Sequence, residues 1–292
     1  MYKRQASECA REHSRFLDRF RPRKQKSNTR VTQFRDRSHL TLHPRDLELA
    51  KAVLSVAGQK AVVILEAGSS VMIPTFIRQK ASAILFSSYG CRQYGKGLRD
   101  VLFGEQEPSG RLPFVLPDTE QQLLQKERNP TSHEIRYDDK WGYRKLRHEQ
   151  QKPAYPFGFG LGYSAFTFTS LWCSHPIVKS TFDMMVTTKN VGNRASAVVI
   201  QVYASRRARR DSATPSLAPR SLIGFAKEVL HPCETSDIGI TCRLSPLAEF
   251  HSSTTKMVVL EGEYDLFVCQ YEGDADAKAL TSSFHVSYEV HC

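Results

Sequence analysis

The sequence predicts an α/β sandwich domain with a mostly parallel sheet, followed by an all-β sandwich. Three observations carry that expectation. Short apolar strand-like runs alternate with helical patterns between residues 44 and 103. The hydrophobic period becomes two after residue 165. Between these regions lies a polar stretch followed by a glycine- and aromatic-rich loop.

Pro44, Arg45 and Asp46 open a helix in which Leu47, Ala50, Val53 and Leu54 share a face, and Gly58 stops it. The run 61–65 (AVVIL) has the continuous apolar character of a parallel strand buried on both faces. A short helix is predicted from Gly68 through Arg78, a second buried strand over Ser82–Phe86, and another helix over Gln93–Phe103. Gly104 caps that helix in the left-handed conformation. Residues 107–110 (EPSG) form a turn, and Leu112, Phe114 and Leu116 alternate out of it as a strand would.

Residues 118–153 read as a long excursion over the surface, and 155–163 (YPFGFGLGY) as a loop that packs where domains meet. From Phe166 onward apolar residues recur with period two: Phe166 and Phe168, then Phe182, Met184 and Val186, then Val198, Ile200 and Val202. About seven such strands, separated by turns at 190–193, 231–232 and 261–262, describe an immunoglobulin/fibronectin III-like sandwich. The predicted divisions are 1–40, basic and poorly ordered; 41–118, the α/β domain; 119–164, connecting; and 165–292, the sandwich.

Residues 1–46 carry thirteen Lys/Arg against five Asp/Glu, which places +8 of the chain's +11 charge there. A helix over 6–20 precedes a basic tail over 21–30. No helix-turn-helix, finger or RNA-binding sheet accompanies it, so a solvated tail is preferred over a nucleic-acid contact. The longest apolar runs are too short to span a bilayer, and no apolar core of a signal peptide follows residue 10. The expectation is a cytoplasmic protein without a membrane segment. The seven cysteines are scattered with no CxxC, which favours reduced thiols over a zinc site. An oxidising compartment leaves a Cys233–Cys242 disulfide open.

The segment 101–117 (VLFGEQEPSGRLPFVLP) closely resembles the "LFGxxNPSGRLPxTxP" signature of the family 3 glycoside hydrolases, the β-glucosidases and β-xylosidases. Further segments resemble the family in the right order. They are 37–43 (RSHLTLH), 61–74 (AVVILEAGSSVMIP), 137–145 (YDDKWGYRK), 156–163 (PFGFGLGY) and 186–195 (VTTKNVGNRA), with Gly224, Phe225 and 262–264 (GEY). The resemblance covers roughly residues 36–290. It implies retaining hydrolysis of terminal β-D-glucosyl residues from small glycosides or oligosaccharides, with no metal or organic cofactor.

That chemistry needs a nucleophile and a general acid/base, two carboxyl groups about 5 Å apart. In the family the nucleophilic Asp comes from a (β/α)8 barrel, which takes about 250 residues, and about 40 precede the α/β segment here. No position matches the nucleophile Asp or the acid/base Glu, so no catalytic residue is assigned. Glu66, at the end of a predicted strand, is the weak candidate. The family loop "PGxEGG" is replaced by 90–95 (GCRQYG), with Gln93 where the acidic residue belongs. Gly162 replaces a family Ser. Gln93, Trp141 and Tyr143 are the candidate substrate-binding residues. Packing between domains is preferred for Trp141, Tyr143, Phe157 and Phe159. Asp138 and Arg144 read as structural partners, and His133, His148 and His231 lack metal-ligand spacing. The expected chain is therefore a truncated β-glucosidase-like protein, inactive by itself. A separate barrel-bearing chain is a conceivable partner. The alternative is a non-catalytic sugar-binding or regulatory module.

Overall fold

The computed structural model describes residues 39–123, 141–174, 180–207, 220–251, 255–276, 279–287 and 290–291. The basic segment 1–38 with its expected helix, His133 and Asp138 lie outside the described residues. The chain forms two compact units: one contains residues 39–69 and 77–106, the other residues 70–76 and those from 107 onward. No helix among the described residues is long and apolar enough to cross a membrane.

In the first unit, helix α1 (Pro44–Val56) starts where His43 Nδ1 accepts from Arg45 N at 3.3 Å. Pro44 takes the first-turn position, where its missing N–H costs nothing, and Asp46 faces the helix dipole. Leu54 is buried, with Leu47 and Ala50 half-buried on the same face, whereas Val53 is exposed, unlike the expected face. Strand β1 (Val62–Glu66) pairs in parallel with β2 (Ala83–Ser87), from Val62 opposite Ala83 to Glu66 opposite Ser87. Helix α2 (Thr75–Lys80) lies between them in sequence, and α3 (Tyr94–Leu102) follows. Gly104 stands just past α3 at φ 77°, the left-handed cap its sequence position predicts.

The expected mostly parallel sheet is overturned. Parallel pairing among the described residues is confined to β1 and β2, and every other sheet is antiparallel. A continuous apolar run does not report how many faces it buries. In β1, Val62 and Ile64 are exposed while Val63 and Leu65 are half-buried. The strand-like segment 112–116 joins no parallel sheet; it belongs to the second unit, where Leu116 forms an isolated antiparallel bridge with Tyr155. The helix expected from Gly68 begins only at Thr75. Pro74 disfavours helical backbone at the residue before it, and Val71 and Ile73 are buried as loop residues of the second unit.

The second unit is built on two antiparallel sheets. One has the order β11 (Leu280–Val286), β10 (Gly262–Cys269), β5 (Ser196–Arg206), β6 (Ser221–Leu230). The other has the order β3 (Phe166–Cys173), β4 (Thr181–Asn190), β7 (Thr235–Arg243). A small third sheet joins β12 (Val290–His291), β9 (Lys256–Val259) and β8 (Glu249–His251). Phe182, Met184 and Val186 of β4 share one core with Val198, Ile200 and Val202 of β5 and with Ile238, Ile240 and Leu266. Each such side chain contributes about 1.5–3 kcal/mol on burial.

β5 departs from simple alternation, because ten consecutive residues from Ser196 to Ser205 are buried. On its second face Gln201 bonds Gly158 and Tyr203 meets Tyr143, which lies in the expected surface excursion. That excursion holds helix α4 (Tyr143–His148), whose Leu146 is buried, and a buried Gln122. No Cys233–Cys242 bridge forms: Cys233 is an exposed free thiol at φ 63°, and Cys242 is a buried one with Sγ 3.2 Å from Met184 Sδ.

Candidate functional site

Glu66 and Gln93 lie in the first unit, and Trp141 and Tyr143 in the second. Glu66 ends β1 opposite Ser87, its side chain exposed. The loops after the two strands meet where Gly68 packs on Tyr89; a Cβ there would sit 2.8 Å from the ring. Gly90 is pressed against Tyr94 in the same way, at 2.2 Å. Gln93 is exposed at the N-cap of α3, where its side chain makes no capping bond. The segments 67–70 and 88–93 contain no Asp or Glu, so these loops give Glu66 no second carboxylate. Farther along α3, Asp100 is nearly buried, and its carboxyl is held below the usual range by bonds from Lys96 and Arg99.

In the second unit, Trp141 is 59% exposed. Gly142 follows at φ 61° and turns the chain into α4. Tyr143 stacks on Phe157 with centroids 4.7 Å apart and meets Tyr203 edge-on at 6.2 Å. Its hydroxyl accepts from Leu222 N at 3.1 Å, and burial raises its pKa. Phe159 packs edge-on to Tyr271 at 5.1 Å. Arg147 approaches Glu272 at 3.7 Å, both side chains close to buried. Arg144 Nε is buried without a hydrogen-bond partner among the described residues. His148 ends α4, and His231 donates its backbone N–H to Glu234.

Two polar residues that position the aromatic loop were not singled out from the sequence. Gln201, buried on β5, donates from Nε2 to Gly158 O at 3.0 Å and to Gln270 O at 2.7 Å, and accepts from Tyr203 Oη at 2.7 Å. Gly158, at φ 77°, leaves room for it; a Cβ would lie 2.1 Å from its Oε1. Glu107, in the signature turn, accepts on Oε1 from Tyr163 N at 2.9 Å and from Ser196 Oγ at 2.5 Å. A glutamine inside the apolar run 197–204 (AVVIQVYA) was the available signal for the first. Nothing local marks Glu107, whose partners lie 56 and 89 residues away.

Residues 10–163 match the Glycosyl hydrolase family 3 C-terminal domain. A probable beta-glucosidase J from Neosartorya fischeri is 34% identical over 219 residues, covering 70% of this chain and 24% of that protein. The crystal structure of beta-glucosidase from Kluyveromyces marxianus in complex with glucose superposes with a TM-score of 0.71 at 29% identity, covering 88% of this chain and 30% of that one. Beta-glucosidase 3B from Thermotoga neapolitana, in complex with alpha-D-glucose, gives 0.72 at 25% identity, with 87% and 35% covered. The chain spans 24–30% of the length of the curated relatives it matches.

Proposed function

The chain belongs to the family 3 glycoside hydrolases, and from that membership we propose that it is the C-terminal part of a β-glucosidase-like architecture, not a self-sufficient catalyst. The architecture acts on terminal β-D-glucosyl residues. Its functional divisions are 41–118 and 165–292, joined by 119–164. The observation that carries this reading is the pairing of a C-terminal-domain match with coverage of about a quarter of each relative's length. Retaining hydrolysis needs two carboxyl groups flanking the bond. Glu66 is exposed, and the loops beside it bring no second acid. A barrel supplied in another chain, or in a longer form of this one, would bring the nucleophile. The exposed Val62 and Ile64 of β1 support such docking.

In this reading the sugar-contacting candidates are Gln93 in the first unit and, in the second, Trp141 and Tyr143, the last with its hydroxyl bonded to Leu222 and its ring stacked on Phe157. Purified chain incubated with an aryl β-glucoside is expected to release no nitrophenol above background, with Glu66→Gln indistinguishable from it. Turnover that Glu66→Gln abolishes would make Glu66 catalytic and overturn the proposal. A second reading, a sugar-binding module without turnover, is favoured by the exposure of Trp141. Glucose-dependent rises in melting temperature that Trp141→Ala removes are its expected signature.

A further inference from the structure

The outer face of the β3–β4–β7 sheet carries an apolar row between two hydrogen-bonded polar rows. Trp172 on β3 is opposite Met185 on β4, which is opposite Gly239 on β7. Trp172 is 56% exposed and Met185 40%. The space above Gly239 is open, since a Cβ there would meet nothing within 4 Å. The row is thus a shallow trough with an indole wall at one end.

One neighbouring row runs from Ser170 through Thr187 to Asp237. Thr187 Oγ1 lies 2.6 Å from Asp237 Oδ1 and 2.5 Å from Ser170 Oγ. The carboxylate can only accept from Thr187, so Ser170 is the donor in the other contact. On the opposite side Thr241 Oγ1 donates to Asp183 Oδ1 at 2.8 Å. Each polar row lies two residues from the apolar one, about 7 Å along the strands. Both aspartates are oriented by Oδ1, and among the described residues Oδ2 of each has no hydrogen-bond partner.

We propose that this face binds a neutral glycan, one pyranose ring stacked on Trp172 and the hydroxyls of the sugar residues on either side of it donating to Asp183 and to Asp237, whose rows lie about 14 Å apart along the strands. A pyranose with equatorial substituents offers an apolar face of axial C–H bonds to an indole and a rim of hydroxyl donors to acceptors on either side. The trough presents that pattern: an exposed aromatic plane flanked by fixed polar groups. Charge selects within the class. The two carboxylates along the trough attract hydroxyl donors and repel uronate-containing chains. The surface is separate from the residues assigned above, and it requires no turnover.

The chain has two tryptophans, so Trp141→Phe leaves Trp172 as the sole indole reporter. Cellohexaose titrated into full-length Trp141→Phe is expected to give a saturable fluorescence change and a matching calorimetric isotherm. Trp172→Ala in the Trp141→Phe background should abolish the isotherm with an unchanged melting temperature, because the side chain is exposed. Asp183→Ala or Asp237→Ala should weaken binding about tenfold, and oligogalacturonate should bind at least tenfold more weakly than cellohexaose. The proposal is overturned by a flat titration, by binding that survives Trp172→Ala, or by equal affinity for the acidic oligomer. A dimer that Trp172→Ala dissociates, with no response to sugar, assigns the face to self-association instead. Loss of the hydrolytic reading leaves these results untouched.

Discussion

Asn190 Nδ2 donates to Leu230 O at 2.9 Å, tying the end of β4 in one sheet to the end of β6 in the other. The same nitrogen donates to Arg194 O at 2.8 Å, and Oδ1 accepts from Ser164 Oγ at 2.7 Å and Gly192 N at 2.9 Å. The amide is fully buried and its four bonds close both the 190–194 turn and the seam between sheets. Asn190→Ala leaves two carbonyls without these donors and is expected to cost about 2–4 kcal/mol. Asn190→Asp should be worse at pH 7 than at pH 4, because burial beside two carbonyls raises the carboxyl pKa and favours the protonated form. Urea melts of the three proteins at both pH values check this; an Asn190→Ala midpoint equal to wild type would remove the amide's assigned role.

Glu107 and Gly162 are mutually dependent. A Cβ at position 162 would stand 2.1 Å from Glu107 Oε1. The family pattern has Asn at the first position and Ser at the second, and this chain differs at both. Gly162→Ser alone is expected to cost about 1–3 kcal/mol through overpacking. Combined with Glu107→Asn, it should recover part of that loss, with a coupling energy of about 0.5–3 kcal/mol. A double-mutant cycle measured by thermal melts decides it, and strict additivity would show the two sites to be independent.

Thr188 faces the core from β4, fully buried, and its Oγ1 has no hydrogen-bond partner among the described residues. Valine has the same shape without the hydroxyl's desolvation cost. Thr188→Val is expected to stabilise the protein by about 1 kcal/mol, raising the urea midpoint at unchanged slope. A lower midpoint would reveal a bond that the hydroxyl makes.

Burial pushes the Cys242 thiol up to about 12 and the half-buried Cys173 thiol up to about 11. The folded state therefore holds protons that the unfolded chain releases above its ordinary thiol pKa of about 8.5. The contribution is complete below that pH and is lost as pH rises from about 9 through the folded values. Stability is expected to fall as pH rises from about 9 to about 11, and Cys242→Val should flatten that fall. In native protein at pH 8, a thiol reagent should label exposed Cys91 and Cys233 before buried Cys242 and Cys269. Mass spectrometry of the labelled peptides gives the order, and early labelling of Cys242 would contradict the packing described.

Local pattern was informative where an element's partners did not matter. Helix α3 runs from just after Gln93 to Leu102, its end marked by Gly104, and β4 has the alternation of Phe182, Met184 and Val186. The same reasoning failed where burial depended on distant chain. β1 reads as a run buried on both faces and β5 as an alternating strand, yet β1 leaves alternate residues exposed while β5 is buried from Ser196 to Ser205. Of the candidate site residues, Tyr143 shows the limit: its aromatic type suggested either stacking on a ligand or packing, and only Phe157, Tyr203 and Leu222 locate its ring and hydroxyl.

By itself the sequence determined ancestry and most element positions, because motif spelling, capping residues and hydrophobic period are local properties of the chain. Tertiary structure decided the sheet directions, the burial of each strand face, and the joining of Glu107 to Ser196 and Asn190 to Leu230. Those outcomes depend on which segments close long loops onto one another. Hydrogen-bond partners and excluded water across 40 to 89 residues leave no periodic trace in sequence.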